Sequence, residues 1–177
     1  MGKVWITKCA DYSDAEVHRA VGELVESFPA LRDVAPGTKV VIKANLVTAV
    51  PPDRAATTHP SLLAELTRRL TEKGAEVTVG DSPGGIFSRA YLDCVYAAAG
   101  MGAVEKAGGR LNRNLSVSEG VLPETRADGR FEYTSYLDEA DLLINFCKLK
   151  AHGMMGMSAA VKNMFGAVPG LRKPEYH

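Results

Sequence analysis

The 177-residue chain contains only three cysteines, Cys9, Cys94 and Cys147, which lie far apart. None belongs to a Cys-x-x-Cys pair, so the sequence offers neither a disulfide framework nor the closely spaced thiolates of a zinc or iron–sulfur site. The usual habit of free cysteine predicts that all three are buried. No apolar run approaches the roughly 18 residues of a transmembrane helix. These absences predict a cytoplasmic globular protein.

The sequence also lacks an excess of charge of either sign, because its formal net charge is zero. This balance argues against a nucleic acid or a membrane as partner. The glycine-containing stretch "DSPGG" at 81–85 lacks the Gly-Lys-Ser/Thr ending of a P-loop and does not match Gly-x-Gly-x-x-Gly. His59, Asp81, Cys147 and His152 show no tight ligand spacing, so no metal site is predicted.

Apolar periodicity predicts alternating strands and helices. Strands are expected at 3–9, 39–44, 75–80, 110–115, 131–135 and 141–147, and helices at 14–27, 60–73, 88–99, before 108, and at 157–165. Because parallel strands need crossover connections, which are usually helical, this order predicts an α/β fold. We expect a mainly parallel sheet with helices on both faces, in one domain spanning 1–177. The stop shortly after a Pro-Gly turn signal predicts a fragment of a longer protein.

Three predicted strands are followed by loops rich in polar residues. Open α/β sheets bind ligands outside the carboxyl ends of their strands, so these loops are expected to meet at one site. The candidate binding residues are Lys43, Asn45, Arg54, Asp81, Ser82, Gly84, Gly85, Lys148, Lys150 and Asn163. For Asp81 a simple role in the turn before Pro83 is the alternative.

Residues 142–174 contain no aspartate or glutamate. The same stretch carries five cationic side chains, which are Lys148, Lys150, Lys162, Arg172 and Lys173. Because unpaired buried ammonium groups are costly, the missing anion is predicted to be a ligand with a phosphate or carboxylate group. In the helix expected at 157–165, Ser158 and Lys162 lie four apart on one face, after a loop whose helix-terminal amides favour an anion. The alternative is a surface helix with solvated lysines.

Titrating side chains in these loops suggest catalysis. The candidate catalytic residues are His152, Lys162 and His59, with His152 as acid or base and a lysine holding the substrate's negative charge. His59 has a structural alternative, because it precedes Pro60 at the start of a predicted helix and could cap it.

Five motifs occur in order along the chain: "VVIKANLV", "TTHPSLLAEL", "GAEVTVGDSPGG", "KLKAHGMMGMSAAVKNMFGAVPG" and "RKPEYH". Over nearly the whole chain they resemble the domain of unknown function 362 family of bacterial and archaeal proteins, to which no activity is generally assigned. Many members also carry a ferredoxin-type segment with [4Fe-4S] centres. Since this chain lacks those cysteines, the resemblance implies that any [4Fe-4S] cluster is held by another segment or a ferredoxin-type redox partner.

A fainter resemblance concerns His152 and Lys162, which are ten positions apart and precede Pro169-Gly170. They are similar to the lactate racemase family's catalytic histidine and the lysine that bears its nickel-pincer nucleotide. In that family, hydride and proton movements racemise a 2-hydroxy acid. Arg54 and His59 are then distant counterparts of substrate-side groups. The residues flanking Lys162 differ from the racemase's glycine-rich setting, so the resemblance implies no specific activity.

Three functions are compatible with these patterns. The leading hypothesis is an α/β domain that binds a small anionic ligand in a strand-end cleft and forms part of an enzyme, with redox or isomerase chemistry. The alternatives are a non-catalytic docking or scaffold module of an iron–sulfur electron-transfer protein and a structural domain without a ligand. A homodimer is also predicted, to cover surface that a longer protein would cover.

Overall fold

The structure is a computed structural model that describes residues 3–121 and 129–176. In these ranges the helices are α1 (Asp14–Ser27), α2 (Pro29–Arg32), α3 (Pro60–Glu72), α4 (Arg89–Ala98), α5 (Gly102–Lys106) and α6 (Ala160–Met164). The strands are β1 (Lys39–Lys43), β2 (Glu76–Gly80), β3 (Arg110–Leu111), β4 (Val117–Val121), β5 (Arg130–Thr134), β6 (Leu142–Asn145), β7 (Lys150–His152) and β8 (Gly156–Ser158). Short 3-10 segments occupy Pro52–Arg54, Ser135–Glu139, Phe165–Ala167 and Gly170–Tyr176.

The main sheet has the strand order β3-β2-β1-β6, and every pair in it is parallel. At the centre, Val40 pairs with Val77 on one side and with Leu142 on the other. Four of the five residues of β1 are buried, as expected for a strand covered on both faces. The predicted α/β fold with a mainly parallel sheet is therefore confirmed.

The longer helices pack on the face of the sheet that carries Val40 and Ile42. In α1, Val17, Val21 and Val25 recur at four-residue intervals and form one buried stripe. Helix α3 begins at Pro60, which suits the first turn because proline lacks an N–H group. The side chains of α1, α3, α4 and α5 join β1 and β2 in one apolar core.

The opposite face of the sheet is covered by shorter helical segments. Tyr136, in the 3-10 segment Ser135–Glu139, is 1% exposed and packs against Gly80 at the end of β2. A Cβ atom at position 80 would lie 2.9 Å from the Tyr136 ring, so glycine permits this close contact. Helix α6 packs beside β6. The 3-10 segment Ser135–Glu139 and helix α6 both lie near the carboxyl ends of the strands, beside the candidate site.

The strand predicted at 3–9 is wrong. These residues form no strand, and the side chains of Val4 and Ile6 are 83% and 93% exposed. Trp5 packs on the Phe28 ring, with ring centroids 4.3 Å apart. Alternating apolar residues form a strand only when a neighbouring strand supplies backbone partners, and this segment has no ladder within the described residues.

The helix predicted at 157–165 is also corrected, because it begins only at Ala160. Met157 and Ser158 instead belong to β8, which pairs antiparallel with β7 in a hairpin. Gly156 has a φ of +71°, a conformation that glycine adopts easily and that reverses the chain here. Ser158 and Lys162 therefore do not share a helical face, and the predicted anion site at the start of a long helix does not form.

Three other strands differ from their predicted limits. The strand expected at 110–115 is shorter and consists only of β3. The strand expected at 141–147 is β6, which ends at Asn145. It lies at the edge of the sheet and is partly exposed, whereas the sequence predicted a strand covered on both faces. The strand expected at 131–135 is β5, which pairs antiparallel with β4. Strand β4 lies in the part of the sequence with the weakest pattern, since residues 117–121 alternate only partly between apolar and polar.

A buried ion pair joins the carboxyl ends of β1 and β2. In the parallel register Lys43 lies opposite Gly80, so Lys43 and Asp81 reach each other directly. The Lys43 ammonium donates to Asp81 Oδ1 and, at 2.8 Å, to the carbonyl oxygen of Ala44. Asp81 Oδ2 accepts from the backbone N–H of Leu46 at 2.7 Å. Because both side chains are less than 5% exposed, each charge depends on the other for compensation.

The substitution Lys43→Met should lower the free energy of unfolding by about 3–5 kcal/mol, because it leaves the Asp81 carboxylate buried without a cation. Urea denaturation monitored by circular dichroism measures the change. The double variant Lys43→Met/Asp81→Asn is the control and should recover part of the loss, since no charge is then left unpaired. A single variant within about 1 kcal/mol of the unsubstituted chain would contradict this role of the pair.

Candidate functional site

The floor of the site is formed by the Lys43–Asp81 pair and by the backbone of Gly166. A Cβ atom at position 166 would lie 2.8 Å from Lys43 Nζ and 2.9 Å from Asp81 Oδ1. A side chain there would therefore displace one of the charged groups. Glycine lets the segment after α6 close over the ion pair.

A chain of asparagine side chains fixes α6 against the ends of two strands. Asn45, two residues after β1, donates to Asn163 Oδ1 at 2.9 Å. Asn163 donates to Asn145 Oδ1 at 2.7 Å, and Asn145 donates to the carbonyl oxygen of Ala160 at 2.8 Å. Each amide acts both as donor and as acceptor, so the network stabilises one arrangement of β1, β6 and α6.

Above this floor lies a cleft of about 260 Å³ at the carboxyl edge of the sheet. Eight of the predicted site residues line it: Asn45, Asp81, Ser82, Gly84, Lys150, His152, Lys162 and Asn163. The segments after β1, β2 and β6 thus converge on one space, as the strand-end rule predicts. Within the described ranges, Asp81 is the only carboxylate that lines this cleft, and its charge is compensated by Lys43.

Lys150 and Lys162 bring positive charge to the cleft from β7 and α6. Lys150 donates to Asn45 Oδ1 and to the carbonyl oxygen of Ala56. Burial lowers its pKa, and the nearby Lys148 charge lowers it further, although Asp81 opposes the change. The ammonium of Lys162 lies 4.3 Å from the centroid of the Phe165 ring, and partial burial lowers the pKa of Lys162 as well. A bound anion would offset the cost of desolvating both groups.

Lys173 also lines the cleft, although sequence reasoning did not select it as a site residue. Its ammonium donates to the carbonyl oxygens of Ser82 and Val168 at 2.7 and 2.8 Å and contacts Ser82 Oγ and the Pro83 carbonyl at 3.2 and 3.4 Å. These acceptors outnumber its three hydrogens, so Lys173 contributes charge rather than a free donor. Burial lowers its pKa to about 8, and Asp81 opposes this shift.

The orientation of His152 is fixed by the hairpin that carries it. Its Nδ1 atom accepts from the backbone N–H groups of Met154 and Met155 at 3.3 and 3.2 Å. The neutral imidazole therefore carries its proton on Nε2 and acts as a hydrogen-bond donor. A role for His152 as a base would require both backbone contacts at Nδ1 to break.

Five predicted site residues do not line the cleft: Lys43, Arg54, His59, Gly85 and Lys148. Lys43 is buried below the cleft, and Arg54 is exposed in the segment Pro52–Arg54. Gly85 lies against Gly170, where its carbonyl oxygen would be 2.7 Å from a Cβ at position 170. These five residues therefore do not share the cleft lining with His152 and Lys162, and Lys43 supports the cleft from below.

His59 and Lys148 instead form a separate cluster with Tyr12. His59 Nδ1 accepts from the N–H of Ser61 at 3.3 Å and caps α3, and its ring stacks on Tyr12 with centroids 3.6 Å apart. Lys148 donates to the Tyr12 hydroxyl at 3.3 Å. Burial lowers the pKa of His59, and the Lys148 charge adds to this effect. His59 therefore has the geometry of its structural alternative, which is the cap of helix α3.

Sequence reasoning missed six residues that line the cleft: Val47, Pro83, Ser158, Phe165, Gly166 and Lys173. Lys173 lies in residues 142–174, which contain no aspartate or glutamate, and this pattern could have identified it as a site residue. Ser158 was assigned to a helix, whereas its place in β8 makes it a buried member of the wall. Phe165 and Gly166 follow α6 in a 3-10 turn that no sequence pattern indicated.

The three cysteines do not form a cluster site. Cys9 and Cys94 are exposed and Cys147 is half-buried, so the prediction that all three are buried is wrong. Within residues 3–121 and 129–176, no group of three or more His, Cys, Asp and Glu side chains could hold a metal ion. These residues therefore do not fit a [4Fe-4S] cluster.

The fold and the site together define an α/β domain with a basic cleft at the carboxyl ends of its parallel strands. The chain belongs to the family described as Domain of unknown function (DUF362), whose model matches residues 40–177. This match confirms the resemblance drawn from the ordered motifs, the last of which ends at His177, outside the described residues. The similarity to the lactate racemase family stays a prediction.

The chain is similar to a thylakoid-associated protein, sll1697, of Synechocystis sp. (strain PCC 6803), with 31% identity over 150 residues. The match covers 81% of this chain and 43% of that relative, so the chain spans less than half of the relative's length. No solved structure matches the chain significantly. None of the helices in the described ranges has the length and apolarity to cross a bilayer.

Lys173 should titrate near pH 8, well below the ordinary lysine value of 10.5, because burial disfavours its charged form. Competitive acetylation followed by mass spectrometry measures this: the rate at Lys173 should level off near pH 8 in the folded protein, whereas in the urea-unfolded chain it should keep rising towards the ordinary lysine value of 10.5. The folded protein releases this proton before the unfolded chain does, so the Lys173 contribution to stability increases from about pH 8 to 10.5. Equal Lys173 midpoints in the folded and the unfolded protein would contradict the assignment.

Proposed function

We propose that this domain binds a small molecule through a phosphate or carboxylate group in the basic cleft, as part of an enzyme. The convergence of Lys150, His152, Lys162 and Lys173 on one cleft carries the proposal. The one carboxylate in its described lining, Asp81, is compensated from below by Lys43. The remaining positive charge favours an anionic occupant.

The donors of the cleft divide into two kinds. Lys150 uses two of its hydrogens on protein oxygens, which leaves its third for a ligand. His152 offers its Nε2–H group, since Nδ1 accepts backbone hydrogen bonds. We assign these two groups direct hydrogen bonds to the anion, and we assign Lys173 a purely electrostatic contribution.

The chemistry that follows binding depends on groups beyond these donors. Redox or hydride chemistry needs a cofactor to carry electrons, because lysine, histidine and asparagine side chains do not. Isomerase chemistry needs a proton acceptor, and Lys162 is the candidate, because burial lowers its pKa and so increases the fraction of neutral amine. The proposal therefore places His152 on the anion and Lys162 at the reacting proton.

The alternative is a docking or scaffold module for an iron–sulfur partner. It predicts that the cleft side chains are dispensable for the function of the full-length protein. A location in the cytoplasm and a homodimer also stay predictions. The cleft variants below discriminate between the two proposals, because only anion binding requires their charges.

The variant Lys150→Met should weaken sulfate and phosphate binding roughly 10- to 100-fold, as expected for the loss of a charged hydrogen-bond donor. Lys162→Met should weaken binding less, because Lys162 lines the cleft but is assigned no direct hydrogen bond to the anion. Isothermal titration calorimetry at low ionic strength measures the affinities. Lys106→Met removes one exposed lysine from α5, outside the cleft, and should leave binding unchanged.

Melting temperatures without ligand distinguish lost binding from lost folding, since Lys150 also holds the segment at Ala56. The proposal is overturned if the unsubstituted chain binds neither anion, or if folded Lys150 and Lys162 variants bind as tightly as the Lys106 control.

A further inference from the structure

An apolar groove of about 770 Å³ adjoins the basic cleft. Its lining residues are Met155, Met157, Ala159, Ala160 and Val161, together with Lys162 and Phe165. Met155 and Met157 are 57% and 59% exposed, and Val161 is 91% exposed. Large apolar side chains grouped in this way on a surface mark a place where something apolar binds.

The groove and the cleft share one wall, because Lys162 and Phe165 line both. The Lys162 ammonium lies over the Phe165 ring at this boundary. A molecule that spans the boundary therefore meets cationic groups at one end and an aromatic ring and methionines at the other. The chemistry changes from charged to apolar within one continuous surface.

We infer that the anionic ligand carries an alkyl chain, with its carboxylate or phosphate group in the cleft and the chain along the groove. The inference rests on the proposed function and specifies the class of ligand. Methionine suits an alkyl chain, because its flexible, polarizable side chain adapts to irregular apolar shapes. Lys162 is the only charged residue among the groove's described lining residues, so polar contacts are concentrated at the anionic end.

Charge argues against a second copy of this chain as the occupant. A two-fold contact through this groove would place the same surface on both sides and bring the two Lys162 side chains towards each other. No carboxylate occurs in residues 142–174 to compensate them. A free single-chain amphiphile supplies the negative charge and the apolar surface together.

Titration of the 177-residue chain with acetate, butanoate, hexanoate and octanoate tests the inference. Each is used below its micelle concentration, at pH 7 and constant ionic strength. Affinity should increase about fourfold for each CH₂ group that is buried. In the variant Met157→Thr/Val161→Asn this gain should disappear, whereas acetate affinity should stay the same.

Val117→Thr/Val121→Asn is the matched control, because both valines are exposed on β4, outside both cavities. It should keep the full dependence on chain length. Acetate binding without any gain for longer chains would overturn the alkyl ligand and leave the proposed function intact. Failure of all four anions, and of sulfate, would overturn both.

Three other results would also overturn the inference. One is a chain-length gain that survives in Met157→Thr/Val161→Asn, which would place the alkyl chain elsewhere. Another is binding to anionic phospholipid vesicles without binding to monomeric octanoate, which would assign the groove to a membrane surface. The third is a dimer in size-exclusion chromatography that the groove variant dissociates, which would assign the groove to a second copy.

Discussion

The buried ion pair between Lys43 and Asp81 is the constraint on which the rest of the site depends. It joins two adjacent parallel strands at their carboxyl ends and fixes the backbone of Leu46 through the second carboxylate oxygen. It also requires glycine at position 166, because any side chain there would meet the paired charges. The same ion pair therefore forms the floor of the cleft and limits how closely the segment after α6 can pack against that floor. The charges in the cleft above are arranged around a carboxylate whose own charge is already compensated.

Much of the sheet could be predicted from sequence because its signals are local. The β-branched run at 39–44 and the stretch 75–80 specified β1 and β2, and the leucines of α3 specified one buried face. The strand-end rule then predicts that Asn45, Asp81 and Lys150 lie together. Convergence of remote segments follows from parallel strands, whose carboxyl ends share one edge of the sheet.

The remaining features depend on contacts that no local pattern encodes. The hairpin of β7 and β8 replaced a predicted helical turn, because Gly156 adopts a positive φ in a stretch whose spacing also fits a helix. Residues 3–9 alternate like a strand but have no neighbouring ladder in the described structure. Lys173 reaches the cleft only because a 3-10 segment returns it to Ser82, 91 positions earlier in the chain.

A chain with zero net charge can still present a basic site, because charge is distributed unevenly over its surface. Positive groups are gathered at one edge, and their ammonium hydrogens are partly satisfied by backbone carbonyls, which holds them in place without neutralising them. Anomalous diffraction from crystals soaked in selenate tests the central claim most directly. A selenium peak is expected with its selenate oxygens within hydrogen-bond distance of Lys150 Nζ and His152 Nε2. Selenate peaks elsewhere on the surface, with none in this cleft, would contradict it.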